Sequence, residues 1–356
     1  MLQSLKPKWI TVGMKFFDLF CGAGGLSYGF LRAGFNPLGG FDKDEDAAET
    51  YRRVFRIVFK RDAFSTGIKE LRTMVDGADV LLSCPPCQGF TQIRAAMGLR
   101  EDRRNSLVDY LAELVRIYKP KALVFENVPP VRRYKGFGRL LRILAGGGYA
   151  YAYGVLDATD YGVPQRRRRL ILIAVRGAGR IALPEPDHGP PTHPEVILGR
   201  RLPWRTVGDA IGDLPPVEAG ECHPHDPLHC AKALPPNHLE LIRRIPKNGG
   251  TRFDVPPDYW LPAHRRKPNS FKTTFSRLRW DEPSNTITTK FFDPSTGPFV
   301  HPEQDRGLTL REGARLQTFP DDYPFYGSFR KIAKQIGEAF PPLFAEKIAR
   351  HLRQII

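Results

Sequence analysis

The sequence predicts an α/β protein built on a parallel sheet, joined to a smaller, loop-rich domain. Three observations carry that expectation. Short β-like runs alternate with amphipathic helical stretches through the first half of the chain. A glycine-rich turn links the first strand to the first helix, as in doubly wound sheets that bind ligands at their strand ends. Between Leu183 and Pro283 the composition shifts toward Pro, His and Arg, with no long periodic helix. A length of 356 residues fits two domains or one large one, and 41% hydrophobic residues suffice for a sizeable core.

In chain order, the predicted strands are Lys15–Phe20, Pro37–Phe41, Asp79–Ser83, Ala122–Glu126, Tyr149–Leu156 and Arg169–Val175. Predicted helices lie between them at Leu26–Ala33, Asp44–Phe55, Asn105–Tyr118 and Gly138–Leu144. Helical periodicity returns at Leu310–Thr318 and Pro341–Ile356. Gly34 stands where the first helix needs a left-handed C-cap. The expected division is 1–182 for the first part of the α/β domain, 183–283 for the loop-rich domain and 284–356 for the closing part.

Lys and Arg total 54 against 38 Asp and Glu, a net charge of +16. That surplus favours a polyanionic partner, nucleic acid before an anionic membrane. Arg outnumbers Lys, which weakly fits a heat-adapted or GC-rich source. The longest apolar runs are far too short to span a membrane, and the N-terminus lacks the pattern of an export signal. Five unevenly spaced cysteines do not read as a disulfide framework. A cytoplasmic protein with no membrane partner is expected.

The segment Phe16–Leu26, FFDLFCGAGGL, is a strand entering a glycine turn and then a helix. Asp42 follows the second strand, suitably placed to hold a ribose. Ser27 occupies the third glycine position of G-x-G-x-x-G, and no phosphate-loop pattern occurs there, so a nucleoside without a pyrophosphate fits better than NAD or ATP. A plain strand-to-helix turn is the bland alternative. Further on, Cys84-Pro85-Pro86-Cys87 ends a short apolar strand. The prolines stiffen the turn and would project Cys87 as a nucleophile. A redox pair or half a zinc site also begins with CxxC, although no second CxxC exists.

Several motifs, in order, resemble the DNA (cytosine-5) methyltransferases of prokaryotic restriction–modification systems. They are DLFCGAGG at Asp18–Gly25, PPCQGF at Pro85–Phe90, the segment Asp102–Leu107, and Glu126-Asn127-Val128. Tyr161–Arg169 contains the Q-x-R-x-R element, and Glu312–Pro320 and Ile336–Pro342 resemble the family's C-terminal motifs. The resemblance implies a Rossmann-like S-adenosylmethionine-dependent methyltransferase fold, with a target-recognition domain over 183–283.

Carbon 5 of cytosine is a poor nucleophile until a thiolate adds at carbon 6, and the resemblance gives that addition to Cys87. Glu126 would protonate or hydrogen-bond ring nitrogen 3, with its pKa raised by partial burial. In an extended segment Gln165, Arg167 and Arg169 share one face. The family implies that Arg167 contacts the base and that Arg169 supports the site. The target must be flipped from the duplex, and 92–104 resembles the loop that closes over it, with Gly98 as hinge.

For S-adenosyl-L-methionine the resemblance implies Phe20 on the adenine and Gly22, Ala23, Gly24, Gly25 and Leu26 along the methionine part. Asp42 and Lys43 would lie at the ribose, Asp62 and Ala63 at the adenine amino group, and Pro86 and Leu107 on the wall. Glu338, beside Ala339, replaces the family's usual Asn, and a carboxylate there could attract the sulfonium or repel the methionine carboxylate.

Double-stranded DNA is the implied partner, with a companion restriction endonuclease acting on the same site as the usual setting and a monomer as the default. Gln88, Arg94, Gln165, Arg243, Arg244, Arg252, Arg265 and Arg266 are the expected DNA contacts. Cys222-His223-Pro224-His225 and His229-Cys230 offer zinc-ligand types at no standard spacing, so no metal is expected. Two alternatives stand beside this reading: a tRNA cytosine-5 methyltransferase, and a DNA-binding relative that has lost catalysis.

Overall fold

The computed structural model describes residues 13–86 and 103–356. Its strands are β1 (Lys15–Leu19), β2 (Asn36–Asp42), β3 (Val58–Lys60), β4 (Val80–Ser83), β5 (Ala122–Asn127), β6 (Tyr149–Asp157) and β7 (Arg168–Arg176). Among the described residues these seven form one sheet in the order β3-β2-β1-β4-β5-β7-β6. The pairs from β3 through β5 are parallel. β7 lies antiparallel between β5 and β6, against the all-parallel expectation. The ten residues between β6 and β7 form a tight turn over Ala158–Tyr161, shorter than the crossover a parallel return requires.

Helices cover both faces. On one, α1 (Gly25–Arg32) packs against the C-terminal helix. Beside α1 on that face lies α2 (Glu45–Phe55), whose Tyr51 and Phe55 pack with Cys21 and Tyr28; on the other face lie α3 (Ile68–Met74), α4 (Leu107–Tyr118) and α5 (Lys135–Gly146). β1 shows why a central strand reads as a continuous apolar run: Phe16 is buried in one core and Phe17 in the other. Asp44 caps α2 by accepting from Ala47 N, and Gly34 takes φ +86° just past α1, as the sequence predicts.

The 183–283 stretch contains α6 (Pro236–Arg244), short helical turns, and a two-stranded parallel ladder of His188–Gly189 with Leu202–Pro203. Leu241, Ile242, Ile245, Trp260 and Phe275 make a small core of their own. Three helices follow: α7 (Leu310–Leu316), α8 (Phe329–Glu338) and α9 (Pro342–Arg353). Residues 207–211 and Leu278 share one apolar cluster with 287–336, so packing is continuous across position 283. Cys222 and Cys230 face each other in an antiparallel bridge and form a disulfide, a single local link rather than a framework. No described helix is long and apolar enough to cross a membrane.

Candidate active site

Strand order reverses between β1 and β4, so their carboxyl ends flank the crevice where doubly wound sheets bind ligands. Phe20 leaves β1 with φ +64°, and Gly22 and Gly24 follow at +51° and +92°. The Asp42 carboxylate fixes this turn from β2: Oδ2 accepts from Gly22 N and Oδ1 from Asp44 N, both at 2.8 Å. Burial pushes its carboxyl up. The glycines serve different ends. A Cβ on Gly22 would meet nothing within 4 Å, so this glycine faces open space. A Cβ on Gly24 would strike the Phe55 ring at 2.6 Å, and one on Gly25 the Phe340 carbonyl oxygen at 2.2 Å. Those two let α1 approach its neighbours.

The other expected cofactor residues divide by depth. Asp62 is half-buried and turns the chain after β3, accepting from Phe64 N at 3.1 Å, with Ala63 buried beside it and Lys43 exposed. Pro86 is half-buried, while Ala23, Leu26 and Leu107 are buried. The Leu26 side chain belongs to the core behind β1 and does not line the crevice, which corrects the expectation for it. Glu338 is exposed at the end of α8, 3.7 Å from Lys334 Nζ. Lys334 also pairs with Asp44, so the unusual carboxylate arrives with a neighbouring cation.

At the end of β5, Glu126 and Asn127 point to different tasks. Glu126 Oε1 pairs with Arg169 Nε at 2.8 Å, with both side chains about one-eighth exposed. Asn127 is buried; its Nδ2 donates to the Pro85 carbonyl at 3.0 Å and its Oδ1 accepts from Val128 N. It thereby ties β5 to the turn that enters residue 87. Sequence reasoning quoted this asparagine within its motif and missed that task. Cys84 lies beside Glu126, and burial followed by the Glu126 and Asp18 charges pushes its thiol well up. It stays a thiol, unsuited to attack or exchange. Cys87, Gln88 and Arg94 lie outside the described residues, as does most of 92–104.

The Q-x-R-x-R segment alternates as expected, with Gln165, Arg167 and Arg169 inward and Arg166 and Arg168 exposed. The base contact expected of Arg167 needs correction. Arg169, not Arg167, meets Glu126. Arg167 is 3% exposed and donates to the carbonyls of Ile287, Gly337 and Ala339. Gln165 is fully buried; it donates to Gln317 Oε1 at 2.9 Å and accepts from Ile287 N at 2.8 Å. Both amide ends are occupied by protein, so Gln165 is a pin between segments rather than a DNA contact.

Arg252 also departs from expectation. Its side chain is fully buried and surrounded by carbonyls, so it cannot contact DNA. Arg243, Arg244, Arg265 and Arg266 are exposed; Arg244 lies over the Tyr259 ring at 4.0 Å and pairs with Glu240.

Residues 14–354 match the family model described as C-5 cytosine-specific DNA methylase. The type II methylase M.HgiDII of Herpetosiphon aurantiacus is 33% identical over 351 residues, 95% of each chain. The type II methyltransferase M1.HphI of Haemophilus parahaemolyticus is 34% identical, over 95% of this chain and 86% of its own. Among solved structures, a methyltransferase encoded within an E. coli prophage superimposes with TM-score 0.72 at 21% identity, covering 96% of this chain and 99% of its own. The likeness of fold agrees with the strand order. The chain belongs to the C-5 cytosine-specific DNA methylases.

Proposed function

We propose that this DNA cytosine-5 methyltransferase modifies one cytosine within a short, specific duplex sequence through a covalent Cys87 adduct. It would act in the cytoplasm as a monomer, beside a restriction endonuclease that reads the same site. The observation that carries the reading is the Glu126–Arg169 pair at the end of β5, tied through Asn127 to the turn that enters Cys87. One strand end thus presents an acid and steadies the approach to the nucleophile.

The crevice fits S-adenosyl-L-methionine. Gly22 opens on free space, and each Asp42 oxygen keeps a lone pair beyond its main-chain donor, available to ribose hydroxyls. Phe20 would cover the adenine, Asp62 would meet its amino group, and the turn 22–25 would hold the methionine part. The cofactor supplies the methyl group. The protein's own work is on the base. The Cys87 thiolate adds to carbon 6 while Glu126 holds a proton at ring nitrogen 3, and Arg169 fixes the Glu126 carboxyl in place. After methylation a water would take the carbon-5 proton, the released electron pair re-forms the carbon 5–carbon 6 double bond, and the Cys87–carbon 6 bond breaks to return the thiolate. Flipping is required because carbon 6 is inaccessible within the stack.

The test is transfer of labelled methyl from S-adenosylmethionine to mixed duplex DNA and to tRNA, with Cys87→Ala alongside. Label on duplex cytosines in one short context, lost in the variant, supports the proposal. Label on tRNA alone moves the substrate to RNA, and bound DNA without label favours the non-catalytic alternative.

A further inference from the structure

Phe271 is 78% exposed, the most exposed of the large apolar side chains among the described residues. Its backbone takes φ +51°, a left-handed conformation that a bulky side chain rarely adopts. Such strain persists only where the surroundings over-determine it. Here the determinant is Arg252. Its Nη1 donates to Phe271 O at 2.5 Å and Thr274 Oγ1 at 3.0 Å, and its Nη2 to Pro268 O at 3.0 Å and Ser270 O at 2.8 Å. Thr274 Oγ1 also donates to Phe271 O at 2.9 Å. No carboxylate pairs with this buried guanidinium among the described residues. The tight turn 268–274 is therefore wrapped around a cation, and its tip is an aromatic ring facing solvent.

The surroundings say what the ring would meet. Between Tyr259 and Trp280 the sequence contains no Asp or Glu. Arg265, Arg266, Lys267 and Lys272 are exposed around the turn, and no carboxylate pairs with them among the described residues. The chain then runs directly to the catalytic edge: Ser284 pairs with Pro164 and Arg166, three residues before the Arg169 that holds Glu126. A basic, pre-ordered turn with a single protruding aromatic suits a partner that offers phosphates beside flat apolar faces.

We propose that Phe271 stacks on or wedges between bases of the DNA duplex, with Arg252 as the residue that positions it and the surrounding Lys and Arg on phosphates. The inference rests on the duplex-DNA reading above.

The test compares wild type, Phe271→Ala and Phe271→Trp for binding to a mixed-sequence duplex across salt concentrations, with thermal unfolding and S-adenosylmethionine binding measured on each. Phe271→Ala is expected to weaken duplex binding about ten-fold or more, with the slope of affinity against salt and the unfolding temperature unchanged. Phe271→Trp should restore it. Arg265→Ala should instead reduce the salt slope. Phe271→Ala binding and methylating the duplex as wild type does would overturn the proposal. Wild-type enzyme that methylates RNA and ignores the duplex would sink the underlying reading, a different and recognisable result.

Discussion

Replacing Arg167 and Arg169 in turn separates a residue that holds the site together from one that works in it. Arg167→Met removes donors to three main-chain carbonyls, those of Ile287, Gly337 and Ala339, and to Gln165 Oε1. These acceptors lie where water does not reach, since Arg167 is 3% exposed. A hydrogen bond to a charged group contributes about 1.5–3 kcal/mol, and methionine fills most of the vacated volume, so a loss of about 4 kcal/mol is expected. Against a total stability of about 5–15 kcal/mol this is large. Urea unfolding followed by tryptophan fluorescence should show the midpoint drop. Arg169→Leu removes one ion pair whose side chains are about one-eighth exposed, with a smaller stability loss of about 2 kcal/mol. Its methyl-transfer rate should fall about a hundred-fold, because Glu126 loses its orientation. An Arg167→Met protein that unfolds at the wild-type midpoint yet transfers no methyl would refute this division and return Arg167 to the chemistry.

Three further outcomes are expected. Burial would raise the Glu312 carboxyl, but the two-pronged Arg306 pair wins and holds it at about 2. A depressed carboxyl stabilises the fold above its unfolded value of 4.5 and loses that contribution as pH falls through 2, about 3 kcal/mol in all. Glu312→Gln should remove this acid-side dependence in urea titrations and strand a buried Arg306; unchanged acid sensitivity would count against it. Asp18 behaves oppositely: burial pushes its carboxyl up to about 7. Its contribution is fully present below the unfolded value of 3.8 and is lost as pH rises through 7, about 4 kcal/mol at most. Asp18→Asn should therefore be more stable than wild type at pH 8 and gain little at pH 4. Asn127→Ala should leave S-adenosylmethionine binding intact while methyl transfer falls about ten-fold or more, because Pro85 loses its tether. A wild-type rate would show that the tether is idle.

The α/β core was legible because its strands and helices repeat on a short length scale. β1 and β5 are apolar runs buried on both faces, and the stops were written in single residues such as Gly34 and Asp44. β3, Val58–Lys60, escaped because three residues carry no period. α8, Phe329–Glu338, escaped although Ile332, Ala333 and Ile336 form its buried stripe, since basic and polar residues interrupt the run. Motifs named the site residues but could not rank them. Asp42 and Gly22 are joined by a hydrogen bond across 20 residues, whereas the roles of Arg167 and Arg169 depend on which way each guanidinium turns. That is decided by what packs opposite, far away in sequence.

The same reasoning explains why counting basic residues overstates the DNA-facing surface. Arg167, Arg252, Arg277 and Arg306 are all buried. Arg277 gathers the carbonyls of Ile242, Ile245, His301 and Gln304, two of them at the carboxyl end of α6. Arg306 takes the carbonyls of Val217 and Gly307 as well as Glu312. A loop-rich domain has many carbonyls that no helix or sheet satisfies, and a planar guanidinium with five donors can collect several at once. Lysine, with a compact ammonium, serves that purpose poorly. The arginine excess thus has two causes that sequence alone cannot separate: attraction to a polyanion, and internal hydrogen bonding where regular structure is scarce. Burial separates them. It leaves Arg265, Arg266, Lys267 and Lys272 as the uncompensated cations of the turn that presents Phe271, and Arg252 as the internal node that shapes it.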